Sequence, residues 1–241
     1  MLELLLAIAL QVGTANPVAP PANPTGTAAA AAAAAAAVVV RVQAYYQKID
    51  KLQANFRQSY TNVIVGRTST SEGRIYIQKP GKMRWWYRTP EVKHFFSDGE
   101  TLWVYDVPNQ QVFKQVLRDQ LLPVAVTFLY GQGDLAKDFV PALDPGRYGV
   151  QGDVVLALTP KQPSAQYKRL WLVVDPTDYH VKESIILDGS DNVNHFKFTR
   201  LKINADAKDV VAKTFRFKPP KGVKIVEPGA PGTRGTRGAN E

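Results

Sequence analysis

The deciding stretch is K-P-G-K-M-R-W-W-Y, Lys79 to Tyr87, followed after a short gap by S-D-G-E-T-L-W-V-Y-D, Ser97 to Asp106. Met83, Trp85 and Tyr87 occupy alternate positions, and Arg84, Trp86 and Arg88 occupy the positions between and after them. Side chains of a strand point to opposite faces in turn, so this segment reads as a strand with one apolar and one cationic face. Asp98-Gly99 is a two-residue turn signal that makes Val92–Ser97 and Glu100–Asp106 the arms of a hairpin. Three of the chain's four tryptophans (Trp85, Trp86 and Trp103) lie in this stretch. The expectation is an antiparallel sheet covered on one side and wet on the other.

Period two continues outward. Ile75 and Ile77 alternate with Arg74, Tyr76 and Gln78, and further strands are predicted at Gln111–Leu117, Asp153–Thr159, Tyr167–Val174, His180–Leu187 and Asn194–Asn204. Phe215 and Phe217 begin a last short segment that ends at Val223–Val226. In Asn194–Asn204, Phe196 and Phe198 share a face while Leu201 and Ile203 are out of phase with them. A bulge near Thr199–Arg200 brings both pairs to the core and bends the strand. Many short, curving antiparallel strands predict a mainly β fold, a barrel or half-barrel.

Two regions depart from this period. Val38–Gln58 reads as helix, because Val42, Tyr45, Ile49, Leu52 and Phe56 recur at three- and four-residue steps. Between Asp119 and Leu143, Leu121, Leu122, Val126, Phe128 and Leu129 are too dense for an exposed loop. Asp119 and Asp134 suit the N-caps of two short helices, the first ending at Gly131 and the second running through Leu135, Phe139 and Val140. In a barrel such an insertion serves as a plug or lid.

The ends set the domain boundaries. Residues 1–15 read as a secretory signal, an apolar run followed by small residues at Gly13-Thr14-Ala15. Residues 16–37 read as a Pro- and Ala-rich linker; its ten alanines, Ala28–Ala37, suit an extension of the helix that follows, but they bury little and are read as a tether rather than a structural element. Residues 38–226 form the domain, and 227–241 a disordered tail. The chain of 241 residues carries a net charge of +9. Leaving out the charges beyond 38–226 raises this to +10, so the basic character belongs to the domain. There is no cysteine, which excludes disulfides, Cys metal sites and a lipidated N-terminal Cys.

No catalytic set, cofactor motif or metal site is expected. His94, His180 and His195 lack metal-ligand spacing, and no G-x-S-x-G, P-loop or dinucleotide fingerprint occurs. Ser97-Asp98-Gly99 is turn chemistry. Basic residues interleaved with aromatics at Arg84, Trp86 and Arg88 also suit single-stranded nucleic acid. Export argues against that reading, and no nucleic-acid partner is expected.

With these residues in view, the chain resembles the periplasmic outer-membrane lipoprotein carrier family, LolA. The resemblance rests on the opening stretch, on L-Q-A-N-F-R-Q-S-Y at Leu52–Tyr60, on F-L-Y-G-Q-G-D-L at Phe128–Leu135 and on F-R-F-K-P-P-K-G-V at Phe215–Val223. It implies an unclosed antiparallel barrel with an N-terminal helix and a helical lid over a hydrophobic cavity. It implies a monomeric carrier that takes triacylated lipoproteins from a LolCDE-like inner-membrane ABC transporter to a LolB-like outer-membrane acceptor. The acyl cavity would be lined by Met83, Trp85, Tyr87, Leu102 and Val104, and filled when vacant by Leu121, Leu122, Val126, Phe128 and Leu129. By position, Lys79 replaces the family's lid-gating Arg, Met83 replaces a cavity aromatic, and Trp85 matches the cavity tryptophan. Lys keeps the charge but not Arg's planar fork. Lys82, Arg84 and Arg88 would form a basic rim facing partners. An RseB-like lipoprotein sensor has the same architecture, but usually with a second domain.

Overall fold

The structure, a computed structural model, describes residues 26–116, 134–163 and 167–227. The expected signal peptide, the linker up to residue 25, the first lid helix and the tail beyond Glu227 lie outside the described residues.

Helix α1 (Gly26–Gln47) leads into β1 (Lys51–Asn62), β2 (Arg67–Gln78), β3 (Lys82–Thr89), β4 (Lys93–Asp98), β5 (Thr101–Asp106) and β6 (Gln111–Val116). A single-turn helix α2 (Leu135–Asp138) precedes β7 (Phe139–Leu143), β8 (Val154–Pro160), β9 (Arg169–Val174), β10 (Val181–Leu187), β11 (Val193–Ile203) and β12 (Lys224–Val226). Among the described residues, the twelve strands form one sheet in the order β12-β6-β5-β4-β3-β2-β1-β11-β10-β9-β8-β7. Its pairs are antiparallel except β12 with β6, which is parallel. The sheet is open, with β12 and β7 at its edges.

Curvature is visible in the core. Met83 and Trp85 of β3 share one buried cluster with Leu156 and Leu158 of β8, although five strands separate β3 from β8 in the sheet. Only a curled sheet brings such distant strands around one interior. The anticipated bulge helps: the β1–β11 register slips between Gln53 and Asn55, and Arg200 takes a positive φ of 53°. Phe196, Phe198, Leu201 and Ile203 then all pack on the interior cluster.

Three local expectations change. Leu52, Ala54 and Phe56 are buried alternately in β1, so the helix ends at Gln47 rather than Gln58. The spacing Tyr45, Ile49, Leu52, Phe56 fits a helical stripe, but Ile49 is the last apolar residue before an extended chain that sheet pairing on both sides claims. The alanine run is helix, not a tether within the described part, and Ala35 is fully buried with Val39, Val42 and Tyr46. Alanine favours helix and lets two backbones approach closely. The second lid helix shrinks to Leu135–Asp138: Asp134 caps it as anticipated, but Phe139 and Val140 enter β7, which pairs with β8.

The outer face is covered in two places. Tyr148 packs on Val155, Ala157, Trp171, Val173 and Ile185. Ala207, Val210 and Phe215 pack on Tyr76, and Phe217 stacks on Phe96 at 4.6 Å. The side expected to be wet is therefore partly roofed by the segment after β11.

Candidate functional site

The concave face holds a belt of aromatic rings. Phe56 lies 5.0 Å from Trp85, 4.9 Å from Tyr87 and 5.9 Å from Phe196, and Trp85 lies 5.3 Å from Phe196. Phe95 approaches Tyr87 at 5.8 Å, and Phe198 stacks on Phe196 at 6.1 Å. The register explains the belt. Trp85 pairs with Ile75 on β2 and Phe95 on β4, and Phe95 with Val104 on β5, so all four point inward. Gly73 makes room for it: a Cβ there would lie 2.6 Å from the Phe56 ring and 2.1 Å from the Trp86 carbonyl oxygen.

A cleft of about 280 Å³ opens beside the belt, lined by Gln58, Ser71, Tyr87, Pro90, Glu91, Lys93 and Phe95. It lies at the end of the sheet where β3 turns into β4. Lys93 and Asp106 form an ion pair at 3.5 Å on this side. Burial raises the Tyr87 phenol above its ordinary value, so it stays protonated. Aromatic walls and a polar rim suit a ligand with an apolar body and a polar head.

Five of the predicted wall residues are together on this face. Met83, Trp85 and Leu102 are buried in the interior cluster, with Tyr87 and Val104 packed against it. Phe56, Phe95, Phe196 and Phe198 belong to the same wall and are additions to the predicted set. The signal for Phe95 was available, since it sits two strand positions before Ser97 in the quoted hairpin. The filling residues Leu121, Leu122, Val126, Phe128 and Leu129 lie outside the described residues.

The predicted cations separate. The Lys79 ammonium donates to the Tyr46 carbonyl at the end of α1, and its backbone N–H to the Asp50 carbonyl at 2.8 Å. Burial lowers the Lys79 pKa, with Asp50 acting against it. Lys82, Arg84 and Arg88 share the outer face of β3, so they do not rim the concave opening. The Arg84 guanidinium lies over Phe96 at 5.0 Å and Trp86 at 5.4 Å, and Arg88 over Trp86 at 5.9 Å. His94 continues that stack, 5.8 Å from Trp86. Burial, and secondarily Arg84, pushes the His94 pKa down to about 4.

The expectation that no histidine meets an acidic cluster needs correction. His180 lies with Asp175 and Asp178, their ligand atoms within 4.8 Å of one another. The spacing D-P-T-D-Y-H contained this grouping. The carboxylates hold the turn: Asp175 accepts the Thr177 N–H and Asp178 accepts the His180 N–H and ring nitrogen, the last at 2.6 Å.

Residues 47–218 match the family model described as outer membrane lipoprotein carrier protein LolA. The chain is 32% identical over 160 residues to the outer-membrane lipoprotein carrier protein of Cupriavidus taiwanensis, covering 66% of this chain and 72% of that protein. It is 32% identical over 190 residues to that of Alkalilimnicola ehrlichii, covering 77% and 81%. Among solved structures, an uncharacterized conserved protein from Thermus thermophilus shares the fold, with a TM-score of 0.50 and 14% identity over 80% of this chain and 99% of that one.

Proposed function

The chain belongs to the LolA family of outer membrane lipoprotein carrier proteins, and from that premise we propose that its concave face binds the acyl chains of triacylated lipoproteins in the periplasm. The observation that carries this reading is the aromatic belt Phe56-Trp85-Tyr87-Phe95-Phe196 opening into a cleft with a polar rim. The protein is a carrier and not an enzyme. Residues 1–15 direct its export, and it works as a monomer between a LolCDE-like transporter and a LolB-like acceptor.

The physics sets how such a carrier works. Each buried methylene contributes about 0.8 kcal/mol, so three chains of roughly fifteen methylenes would give on the order of 35 kcal/mol. Non-covalent affinities saturate near about 20 kcal/mol, and a carrier must release its load. Partial burial and exchange meet both demands. On loading, acyl contacts replace the apolar contacts that the empty concave face makes within the chain. Lys82, Arg84 and Arg88 speed encounter with acidic partners, so added salt slows transfer.

Native mass spectrometry of the protein isolated from periplasm tests the reading. A one-to-one mass increment matching an acylated polypeptide is expected. The bare chain alone, from cells rich in lipoproteins, would refute it.

A further inference from the structure

The β1–β2 hairpin ends in three consecutive aliphatic residues that face solvent. Val63 is 52% exposed, Ile64 83% and Val65 68%. Folding gains nothing from apolar side chains left in water, and three in a row on a turn form a protrusion rather than a scattered surface.

On its β2 side the hairpin projects beyond β3, while on its β1 side β11 keeps pace as far as Thr61, which pairs with Val193. Thr89, the last residue of β3, pairs with Glu72, so Arg67–Ser71 of β2 pair with β1 alone. The tip stands at the same end as the concave cleft, whose wall includes Gln58 of β1 and Ser71 of β2. From Gln58 to Val63 is roughly 17 Å of strand.

Three of the tip's backbone N–H groups are already bonded. The Val63 N–H donates to Asn192 Oδ1 at 3.0 Å, the Val65 N–H to Asn62 Oδ1 at 3.2 Å and the Gly66 N–H to the Val63 carbonyl at 3.3 Å. Those three donors are not left bare when the tip enters hydrocarbon. Flanking acids are engaged as well: Glu72 with Arg57 at 3.8 Å, Asp191 with Lys168 at 2.8 Å, and Asp188 with the Ser190 and Asn192 N–H groups. Arg67 is exposed one residue beyond Gly66, a cation of the kind that attracts anionic headgroups.

We propose that Val63-Ile64-Val65 inserts into a phospholipid bilayer and sets the cleft end of the concave face against the membrane. Three aliphatic side chains give weak, reversible attachment, suited to docking and departure rather than to anchoring. The proposal goes beyond acyl binding and stands without it, because the tip meets lipid whether or not the concave face is loaded.

The chain has no cysteine, so Ile64→Cys offers a single site for an environment-sensitive dye. Vesicles of phosphatidylethanolamine and phosphatidylglycerol should shift its emission to the blue, and brominated acyl chains should quench it. The same dye at Val150→Cys, exposed in the β7–β8 loop at the opposite end of the sheet, should not respond. Ile64→Glu should weaken vesicle flotation about tenfold or more while leaving binding of a soluble acyl probe unchanged. An unresponsive dye at residue 64, with Ile64→Glu floating like the parent, would overturn the proposal. So would concentration-dependent dimerisation abolished by Ile64→Glu with vesicle binding untouched, which would assign the tip to a second copy of the chain. Failure to bind the acyl probe with tip insertion intact would overturn the carrier reading alone.

Discussion

The ammonium of Lys79 donates a hydrogen bond to the carbonyl oxygen of Tyr46, tying the turn before β3 to the last turn of α1. The terminal carbonyls of a helix lack partners within it and carry partial negative charge. The same tyrosine accepts the Val181 N–H on its hydroxyl at 3.0 Å, so α1 is held at one point from both halves of the sheet.

Lys79→Met should therefore destabilise the fold by about 1–3 kcal/mol, the loss of a part-buried charged hydrogen bond, although the Tyr46 carbonyl keeps the Ile49 N–H at 3.2 Å. Lys79→Arg should recover much of the loss. Urea denaturation measures the first effect, and faster amide exchange in the last turn of α1 locates it.

The aromatic belt is packing as well as binding surface. Trp85 is 6% exposed between Phe56 and Phe196. Trp85→Ala should lower stability by about 3–5 kcal/mol, and Trp85→Phe by less. Chemical denaturation decides, and a loss below about 1 kcal/mol would show that this ring is not part of the core.

Gly73 has no space for a side chain. Its Cβ would collide with the Trp86 carbonyl oxygen and with the Phe56 ring that the wall is built on. Gly73→Ala should cost about 1–3 kcal/mol or more. Near-ultraviolet circular dichroism should report the disturbed rings together with the lowered unfolding midpoint.

His94 gives the protein an acid-sensitive limb. Its folded pKa of about 4 lies below the ordinary 6.5 because burial and Arg84 disfavour the cation. As pH falls below about 6.5 the unfolded chain takes up this proton first, and the folded chain follows only near 4. Stability is thus whole above that window and is lost through it. The ring is stacked on Trp86, Phe96 and Tyr105, and its Nδ1 has no hydrogen-bond partner among the described residues. His94→Phe should flatten the decline between about pH 6.5 and 4, read as unfolding midpoint against pH.

Much of this was written in local pattern. Met83, Trp85 and Tyr87 alternate with no competing period, so their shared face was legible. Asp98 fixed its own turn by accepting the Glu100 and Thr101 N–H groups at 3.0 and 2.9 Å. The phase change at Thr199–Arg200 had one cheap solution, a bulge. Leu52 and Phe56 satisfied both the helical and the strand period, and only pairing with β2 and β11 decided between them. Phe139 met the same ambiguity beside β8. The tip at Val63-Ile64-Val65 was not read out, because exposure of an aliphatic triplet follows from where β2 outruns β3. The separation of Lys79 from Lys82, Arg84 and Arg88 likewise depends on which way the turn after β2 faces.

The central claim is that acyl chains lie against the inward face of the curved sheet. A photo-crosslinking amino acid placed at Tyr87 or Phe95, and at Trp103 on the outer face as control, tests it in the periplasm of living cells. Crosslinks from positions 87 and 95 to lipoproteins, lost when the lipoprotein N-terminal Cys cannot be acylated and absent from position 103, are the predicted result. Equal crosslinking from both faces, or none from 87 and 95 while lipoproteins still reach the outer membrane through this protein, would contradict it.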